Sequence, residues 1–245
     1  MITGTADLSR LAEVAPTTER LAAEPLVLEG VEILQVAFEV ASAGITAKFP
    51  PGLHPTIPTM VTWLVWHSPG GALGEFSMAQ MRLSCRSGVR PRGFLVSAIV
   101  EGGAAAKRLS SEWGYRCLPG EVRLVRGYDQ VSARVLRDGQ TILDVAILDP
   151  DPLRNDDVQY TANMNLARTP KGLRLVQVDP DHAVKRAERG TPRLAAFDGA
   201  GWEAKGVHPQ DAVAGSFAVA DVTLPRIRYF CRPEVTAFEG TETVA

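Results

Sequence analysis

Arg116 and Cys117 are adjacent in the stretch WGYRCLP, residues 113–119, between a helix-like run and an alternating, strand-like run. A cysteine beside a base or a cation can form a thiolate nucleophile. An arginine can bind a carboxylate or stabilise an enolate through charge-assisted hydrogen bonds. Each residue also has a structural interpretation: Cys117 as a small buried hydrophobic residue, and Arg116 as a surface ion-pair partner of Glu112 or Glu121.

Other reactive motifs are few. The three cysteines, Cys85, Cys117 and Cys231, are an odd number with wide spacing, which argues against a disulfide framework and against a zinc site. This cysteine usage favours a reducing compartment, so we expect a cytoplasmic protein. The sequence has no Gly-rich phosphate loop, no paired-histidine metal motif and no Gly-x-Ser-x-Gly elbow. We therefore predict no metal and no cofactor.

The composition is that of an ordinary globular protein of 245 residues. Hydrophobic residues make up 45% and charged residues 22%, with a net charge of -2 and a pI near 6.1. Charges this evenly balanced give no electrostatic reason to expect nucleic acid or a membrane surface as partner. No apolar run approaches the roughly 20 residues of a spanning helix, and the N-terminus lacks the pattern of a secretion signal.

The sequence predicts mainly short strands, so strands are expected to position the candidate site residues. Residues 5–24 suggest a weak amphipathic helix, and from Pro25 onward apolar and polar residues alternate with period 2. Turn signals such as SPGG, RSGVRPRG and the Asp-Gly pair at 138–139 separate runs of strand length. Many short strands with frequent turns predict a barrel-like antiparallel domain.

The C-terminal third resembles the acetoacetate decarboxylase family. The resemblance is carried by GTPRLAAFD, then VHPQDAVAGSFAVADVTLP, and finally RIRYF; ALGEFSM and SAIVEGGAAAKRLSSEWGYRCL fit the middle of that family. It covers roughly residues 25–232. It implies an α+β, mainly antiparallel β fold, with a closed β-barrel, flanking strands and few helices, in a homo-oligomer. We thus expect an N-terminal helical extension (1–24) and one barrel domain (25–245).

The turn at residues 113–119 departs from the family where the family's chemistry takes place. Gly114 and Tyr115 match its Gly-aromatic turn, but Arg116 stands where the family has proline. Cys117 replaces the Schiff-base lysine, and Leu118 replaces the second lysine. Cysteine cannot form an iminium with a ketone, and leucine cannot lower a neighbouring amine's pKa. The resemblance therefore does not imply acetoacetate decarboxylation.

The family's acidic residues are also missing. Met78 stands at its active-site glutamate, and Trp63 at a second acidic position in the neighbouring strand. These replacements imply a more apolar pocket that suits a larger hydrophobic ligand. Lys107 is a possible substitute amine, although a solvated helix lysine is the simpler interpretation.

Alternation along each strand predicts which further side chains point into the same pocket. If Trp63 points inward, so does His67, and if Met78 points inward, so do Gln80 and Arg82. The alternatives are a rim or turn position for His67, core positions for Trp63 and Met78, and an exposed strand face for YTANMNL. The candidate catalytic residues are Arg116, Gln80, His67 and Cys117; the candidate substrate-binding residues are Trp63, Met78, Tyr115, Asn163 and Asn165.

Two classes of function remain. The first is a noncovalent cyclase, lyase or isomerase acting on a polyketide-like or keto-acid intermediate of secondary metabolism, with a hydrophobic carbonyl compound as substrate. The second is a non-catalytic binding protein for a hydrophobic small molecule. Polar groups that converge in an apolar cavity would favour the enzyme.

Overall fold

The computed structural model describes residues 2–244, and one mainly antiparallel sheet of fifteen strands dominates this part of the chain. Three α-helices and two 3₁₀ turns, Ile45–Lys48 and Asn155–Asp157, accompany it. The helices are α1 (Leu8–Val14), α2 (Gly103–Trp113) and α3 (Ala237–Gly240); the strands are β1 (Leu26–Val40), β2 (His54–Pro55), β3 (Met60–Ser68), β4 (Phe76–Ser87), β5 (Arg90–Glu101), β6 (Cys117–Pro119), β7 (Glu121–Arg126), β8 (Gln130–Arg137), β9 (Gln140–Leu153), β10 (Asn163–Thr169), β11 (Gly172–Val178), β12 (Asp181–Phe197), β13 (Pro209–Leu224), β14 (Tyr229–Cys231) and β15 (Thr241–Thr243).

The sheet is open, so the expectation of a closed barrel is wrong. Its strand order is β15-β14-β11-β10-β5-β4-β3-β1-β13-β12-β9-β8-β7, and the terminal strands β15 and β7 do not pair with each other. The sheet curls until β7 packs near β3, β4 and β5 without a ladder between them. The reason is local: β6 pairs with β5 over only three residues before the chain turns at Gly120, after which β7 pairs with β8 alone.

Both faces of the central strands are buried, in two separate cores. Residues opposite each other in an antiparallel ladder share a face, and Trp63 on β3 lies opposite Met81 on β4. These two side chains belong to the inner core, the apolar cluster enclosed by the curled sheet. Trp66 lies opposite Met78, and this pair belongs to the helix-side core, the apolar cluster that α2 covers.

Helix α2 covers the helix-side core with one stripe of side chains. Ala105, Leu109 and Trp113 are its buried residues, and their spacing of four places them on one face. Gly114 ends the helix with φ 69°, a left-handed conformation that glycine adopts without strain. No helix within residues 2–244 is long and apolar enough to cross a membrane.

Helix α1 is much shorter than the helix suggested for residues 5–24. The Asp7 carboxylate accepts a hydrogen bond from the Ser9 amide at 2.9 Å and caps its start. Ala15 is already extended, and Pro16 follows. Beyond it the chain bonds to β10 through Arg168 instead of continuing the helix. The division into residues 1–24 and 25–245 stays a prediction.

Replacing Gly120 by alanine tests how closely the curled sheet packs. A Cβ atom there would lie 2.5 Å from the Leu136 carbonyl oxygen and 2.5 Å from Ile99 Cγ2, so backbone must move. We expect Gly120→Ala to lower the free energy of unfolding by about 1–3 kcal/mol, measured by urea unfolding. Gly103→Ala, where nothing lies within 4 Å, is the matched control and should be neutral or slightly stabilising. Equal stability of both variants would contradict this packing.

Candidate functional site

Arg82 on β4 is a buried cation without a carboxylate partner. Its side chain faces the helix-side core, as Gln80 does, and the residue is only 3% exposed. Nη1 donates to the Thr161 carbonyl oxygen at 3.0 Å and to Asn163 Oδ1 at 2.9 Å. No ion pair involves it within residues 2–244. Burial lowers the pKa of the guanidinium to about 10, so it is charged at neutral pH.

A chain of buried amide and phenol groups continues from Arg82. Asn163 Nδ2 donates to Gln80 Oε1 at 2.7 Å and approaches the Tyr115 hydroxyl at 3.4 Å. Burial raises the pKa of Tyr115, which keeps the phenol protonated. The Nε2 group of Gln80 is buried and has no protein partner, so it is a donor that points at no acceptor.

Tyr160 and His182 form an aromatic wall beside the guanidinium. Their rings stack at a centroid distance of 4.2 Å, and the Trp66 and His182 ring centroids are 6.2 Å apart in an edge-to-face arrangement. The Tyr160 hydroxyl, His182 Nε2 and Trp66 Nε1 are all buried without a hydrogen-bond partner. Burial, and secondarily the charge of Arg82, lowers the pKa of His182 to about 4. The imidazole is therefore neutral at pH 7.

This concentration of unpartnered polar atoms makes the group a candidate ligand site. Buried polar groups in folded proteins are nearly always hydrogen-bonded, because leaving one unpaired costs about 1–3 kcal/mol. Several such groups around one unpaired guanidinium are the arrangement that an anionic carbonyl compound would complete. We call the group the Arg82 cluster; its members are Trp66, Gln80, Arg82, Tyr115, Tyr160, Asn163 and His182.

Gln35 on β1 connects the Arg82 cluster to an open cleft. Its Oε1 accepts from Arg82 Nη2 at 3.5 Å, and its Nε2 donates to the Gln159 carbonyl oxygen at 3.3 Å. Gln35 and Gln159 also line a surface cleft of about 770 Å³. A small ligand entering from the cleft would therefore meet Gln35 and the segment before β10 first.

Three residues predicted from the sequence, Gln80, Tyr115 and Asn163, lie together in the Arg82 cluster. Met78 shares their face of the sheet and packs in the helix-side core. Asn165 lies two residues after Asn163 on β10. Its Nδ2 donates to the Trp113 carbonyl oxygen at 3.0 Å. Its role is to hold the end of α2, although its Oδ1 has no partner.

Trp63 and His67 lie on the other face of the sheet, away from Met78 and Gln80. Trp63 packs in the inner core, and His67 Nδ1 contacts Ser77 Oγ at 3.1 Å at the end of the ladder. The β3–β4 register causes this separation, because it places Met78 opposite Trp66 and not opposite Trp63. The expected pocket shared by Trp63 and Met78 therefore does not exist.

Arg116 and Cys117 take structural positions. Arg116 Nη1 donates to the Val96 carbonyl oxygen at 3.3 Å, and Nη2 pairs with Glu203, not with Glu112 or Glu121. The Cys117 thiol packs against the helix-side core, where burial raises its pKa to about 11 in spite of a hydrogen bond with Ser110. The thiol is protonated at neutral pH, as expected for a small buried hydrophobic residue.

Sequence reasoning left Arg82, Tyr160 and His182 outside the selected site residues. The alternation along β4 did point to Arg82, because Arg82 follows Met78 and Gln80 on the same face of that strand. For His182 no local signal exists. It reaches the site only because β12 pairs with β13 and β13 pairs with β1. Within residues 2–244 no group of three metal-ligating side chains is found.

Comparisons with known proteins agree on the fold. No protein-family model and no curated protein matches the chain. Acetoacetate decarboxylase from Legionella pneumophila superposes with a TM-score of 0.72 at 18% identity, covering 84% of this chain and 86% of that one. A further acetoacetate decarboxylase structure gives 0.74 at 17% identity, covering 89% and 92%. The enduracididine biosynthesis enzyme MppR, complexed with pyruvate, gives 0.69 at 17% identity, covering 86% and 97%. The resemblance inferred from the sequence is thereby confirmed at the level of the fold.

The lowered pKa of His182 predicts how stability changes with pH. The unfolded chain takes up a proton near pH 6.5, whereas the folded state resists protonation down to about pH 4. The contribution of His182 to stability is therefore present above pH 6.5 and lost as the pH falls toward 4. Between pH 6.5 and 4, urea unfolding should show that the free energy of unfolding falls less for His182→Phe than for the wild type. Above pH 7 the difference between the two proteins should stay constant. Parallel profiles down to pH 4 would contradict the assignment.

Proposed function

We propose that this chain, which has the acetoacetate decarboxylase fold, is an enzyme that binds a keto acid or related carbonyl compound noncovalently at the Arg82 cluster. The reaction class is that of a lyase, cyclase or isomerase of secondary metabolism, in which the first step is enolisation of the bound carbonyl. The observation that carries this proposal is the buried guanidinium of Arg82, which lacks a carboxylate partner and lies beside unpartnered polar groups.

Arg82 supplies the anchor for the substrate's negative charge. A guanidinium presents several N–H groups in a fixed plane, and only some of those of Arg82 are used by the protein. Its Nε is buried without a partner. A carboxylate or an enolate oxygen bound there would pair with a charge that is already desolvated, which makes the interaction stronger than the same contact in water.

Gln80 and His182 supply the groups that enolisation requires. The free Nε2 hydrogens of Gln80 can donate to a carbonyl oxygen and stabilise the negative charge that develops on it. His182 is neutral, and its Nε2 has no partner. The backbone of Pro180 lies near the ring. We assign the removal of the proton next to the carbonyl to Nε2, because this ring nitrogen is buried without a hydrogen-bond partner.

An imine mechanism has little support in this chain. Cys117 occupies the position of the family's Schiff-base lysine and is a protonated thiol. Lys107, the substitute considered above, is exposed on α2. Of the other lysines, Lys185 pairs with Asp221, and Lys48 donates to the Lys205 carbonyl oxygen. None of these three amines is buried, whereas an imine-forming lysine needs burial or a neighbouring cation to be neutral.

The similar solved structures support a carbonyl substrate. MppR has been solved with pyruvate, a 2-keto acid, and shares the fold over 86% of this chain. The apolar residues Trp66 and Met78 around the Arg82 cluster favour a substrate with a hydrophobic part. We accordingly expect a hydrophobic keto acid, with a homo-oligomer as the assembled form.

The role of Arg82 is tested by binding. Calorimetric titration with pyruvate and phenylpyruvate should show binding to the wild type that falls roughly 10- to 100-fold in Arg82→Gln, since charge-assisted hydrogen bonds contribute about 1.5–3 kcal/mol. Arg92→Gln removes another buried arginine, which lies outside the cluster, and should bind as the wild type does. Unchanged affinity in Arg82→Gln would contradict the proposed anchor.

Enolisation without an imine is tested in deuterated water. The wild type should exchange the methyl protons of pyruvate, followed by NMR, whereas His182→Phe should bind pyruvate and lose most of the exchange. Borohydride added to the same mixture should leave the intact mass of the chain unchanged. A trapped adduct on any lysine would restore an imine mechanism. Binding without exchange in the wild type would favour a non-catalytic binding protein.

A further inference from the structure

A second cavity lies between α1 and the sheet, apart from the Arg82 cluster. Its volume is about 330 Å³, within the range of small-molecule sites. Leu83, not Arg82, reaches it from β4, and neighbouring residues of a strand point to opposite faces. The apolar walls include Leu11, Val14, Phe94, Val96, Leu166 and Val207.

The cavity exists because β5 has no strand neighbour over a short stretch. The ladder between β5 and β10 includes only Gly93 and Phe94 on β5, and the ladder with β6 begins at Ala98. The intervening residues 95–97 are left open on that edge. The Arg116 guanidinium bonds to the exposed Val96 carbonyl oxygen but does not fill the space beside it.

Helix α1 spans this opening as a cover tied at both ends. Before the helix, the Ala6 amide donates to the Phe49 carbonyl oxygen at 3.0 Å; after it, the Thr18 amide donates to the Arg168 carbonyl oxygen at 2.8 Å. Between these ties, α1 contributes no buried residue. A short helix with half-exposed apolar side chains above an apolar cavity is the geometry of a cover over a ligand.

The mouth of the cavity has more cationic than anionic side chains. Arg10, Lys48 and Arg116 line it together with a single carboxylate, that of Glu203, and Arg10 pairs loosely with Asp7 at 3.8 Å. Glu203 is already paired with Arg116 and also with Arg137 at 3.0 Å. Lys48 donates only to a backbone carbonyl oxygen, so its charge is not neutralised by the protein within residues 2–244.

We propose that this cavity is a second binding site, which takes the hydrocarbon chain of a medium-chain carboxylate. The carboxylate group lies at the mouth near Lys48 and Arg10, and the chain lies against Leu11, Phe94 and Val207. Apolar cavities bind apolar ligands readily because the walls gain contacts and no hydrogen bond of water is lost. The site does not depend on the function proposed for the Arg82 cluster.

Decanoate is the probe, with decanol and acetate as comparisons, titrated into the full chain by calorimetry. We expect decanoate to bind in this cavity, decanol to bind there more weakly, and acetate not to bind there measurably. Leu11→Trp fills the cavity from α1 and should abolish binding. Leu8→Trp, on the same helix but outside the lining, is the matched control and should bind as the wild type does.

Three further variants guard against misfolding, test the charge beside the cavity and separate the two sites. Val207→Phe fills the cavity from the opposite wall and should also abolish decanoate binding, with an unchanged circular dichroism spectrum. Lys48→Gln should weaken decanoate roughly 2- to 5-fold, as expected for a partly exposed charge, and leave decanol unaffected. Arg82→Gln should leave decanoate binding unchanged. Loss of decanoate binding in Arg82→Gln, or its persistence in both filled variants, would overturn the proposal.

Discussion

The structure depends on the ladder register of β1, β3, β4 and β5, whose faces are both buried. Because opposing residues share a face, this register assigns the buried apolar side chains of these strands to one of two cores. A shift of one residue in β4 would carry Gln80 and Arg82 into the inner core, among apolar side chains such as Trp63 and Val65. Apolar burial on both faces therefore stabilises the fold and also places the polar cluster.

The buried charge of Arg82 is costly to stability, and the same cost would favour the binding of an anion. Removing a guanidinium from water is unfavourable unless hydrogen bonds and an opposite charge replace the lost solvation. Within residues 2–244 the protein supplies oxygen acceptors from Thr161, Asn163 and Gln35, but no carboxylate. The same buried charge helps to keep His182 neutral. A bound anion would supply the missing counter-charge, so binding energy and the basicity of the imidazole are linked through one residue.

The turn at residues 113–119 gives three neighbouring side chains three different structural roles. Alternation along this segment directs Tyr115 and Cys117 toward the helix-side core and Arg116 the other way. Tyr115 contributes its hydroxyl to the Arg82 cluster, whereas Cys117 contributes only packing. Arg116 satisfies a carbonyl group where β5 lacks a neighbour, and the second cavity opens at the same place.

The sequence by itself determined the strands, their period of two and the resemblance in fold, because these depend on residue types close together along the chain. It also selected Gln80 from the alternation along β4 and Tyr115 from the Gly-aromatic turn, and these two residues lie together in the structure with Asn163. Only the tertiary structure decided that the sheet stays open, that Trp63 and Met78 face different cores, and that His182 meets Tyr160 and Arg82. The physical reason is that ladder register and strand order arise from contacts between segments far apart in sequence. An alternation of period 2 shows that a strand has two faces, but it does not show which strand or helix packs against each face.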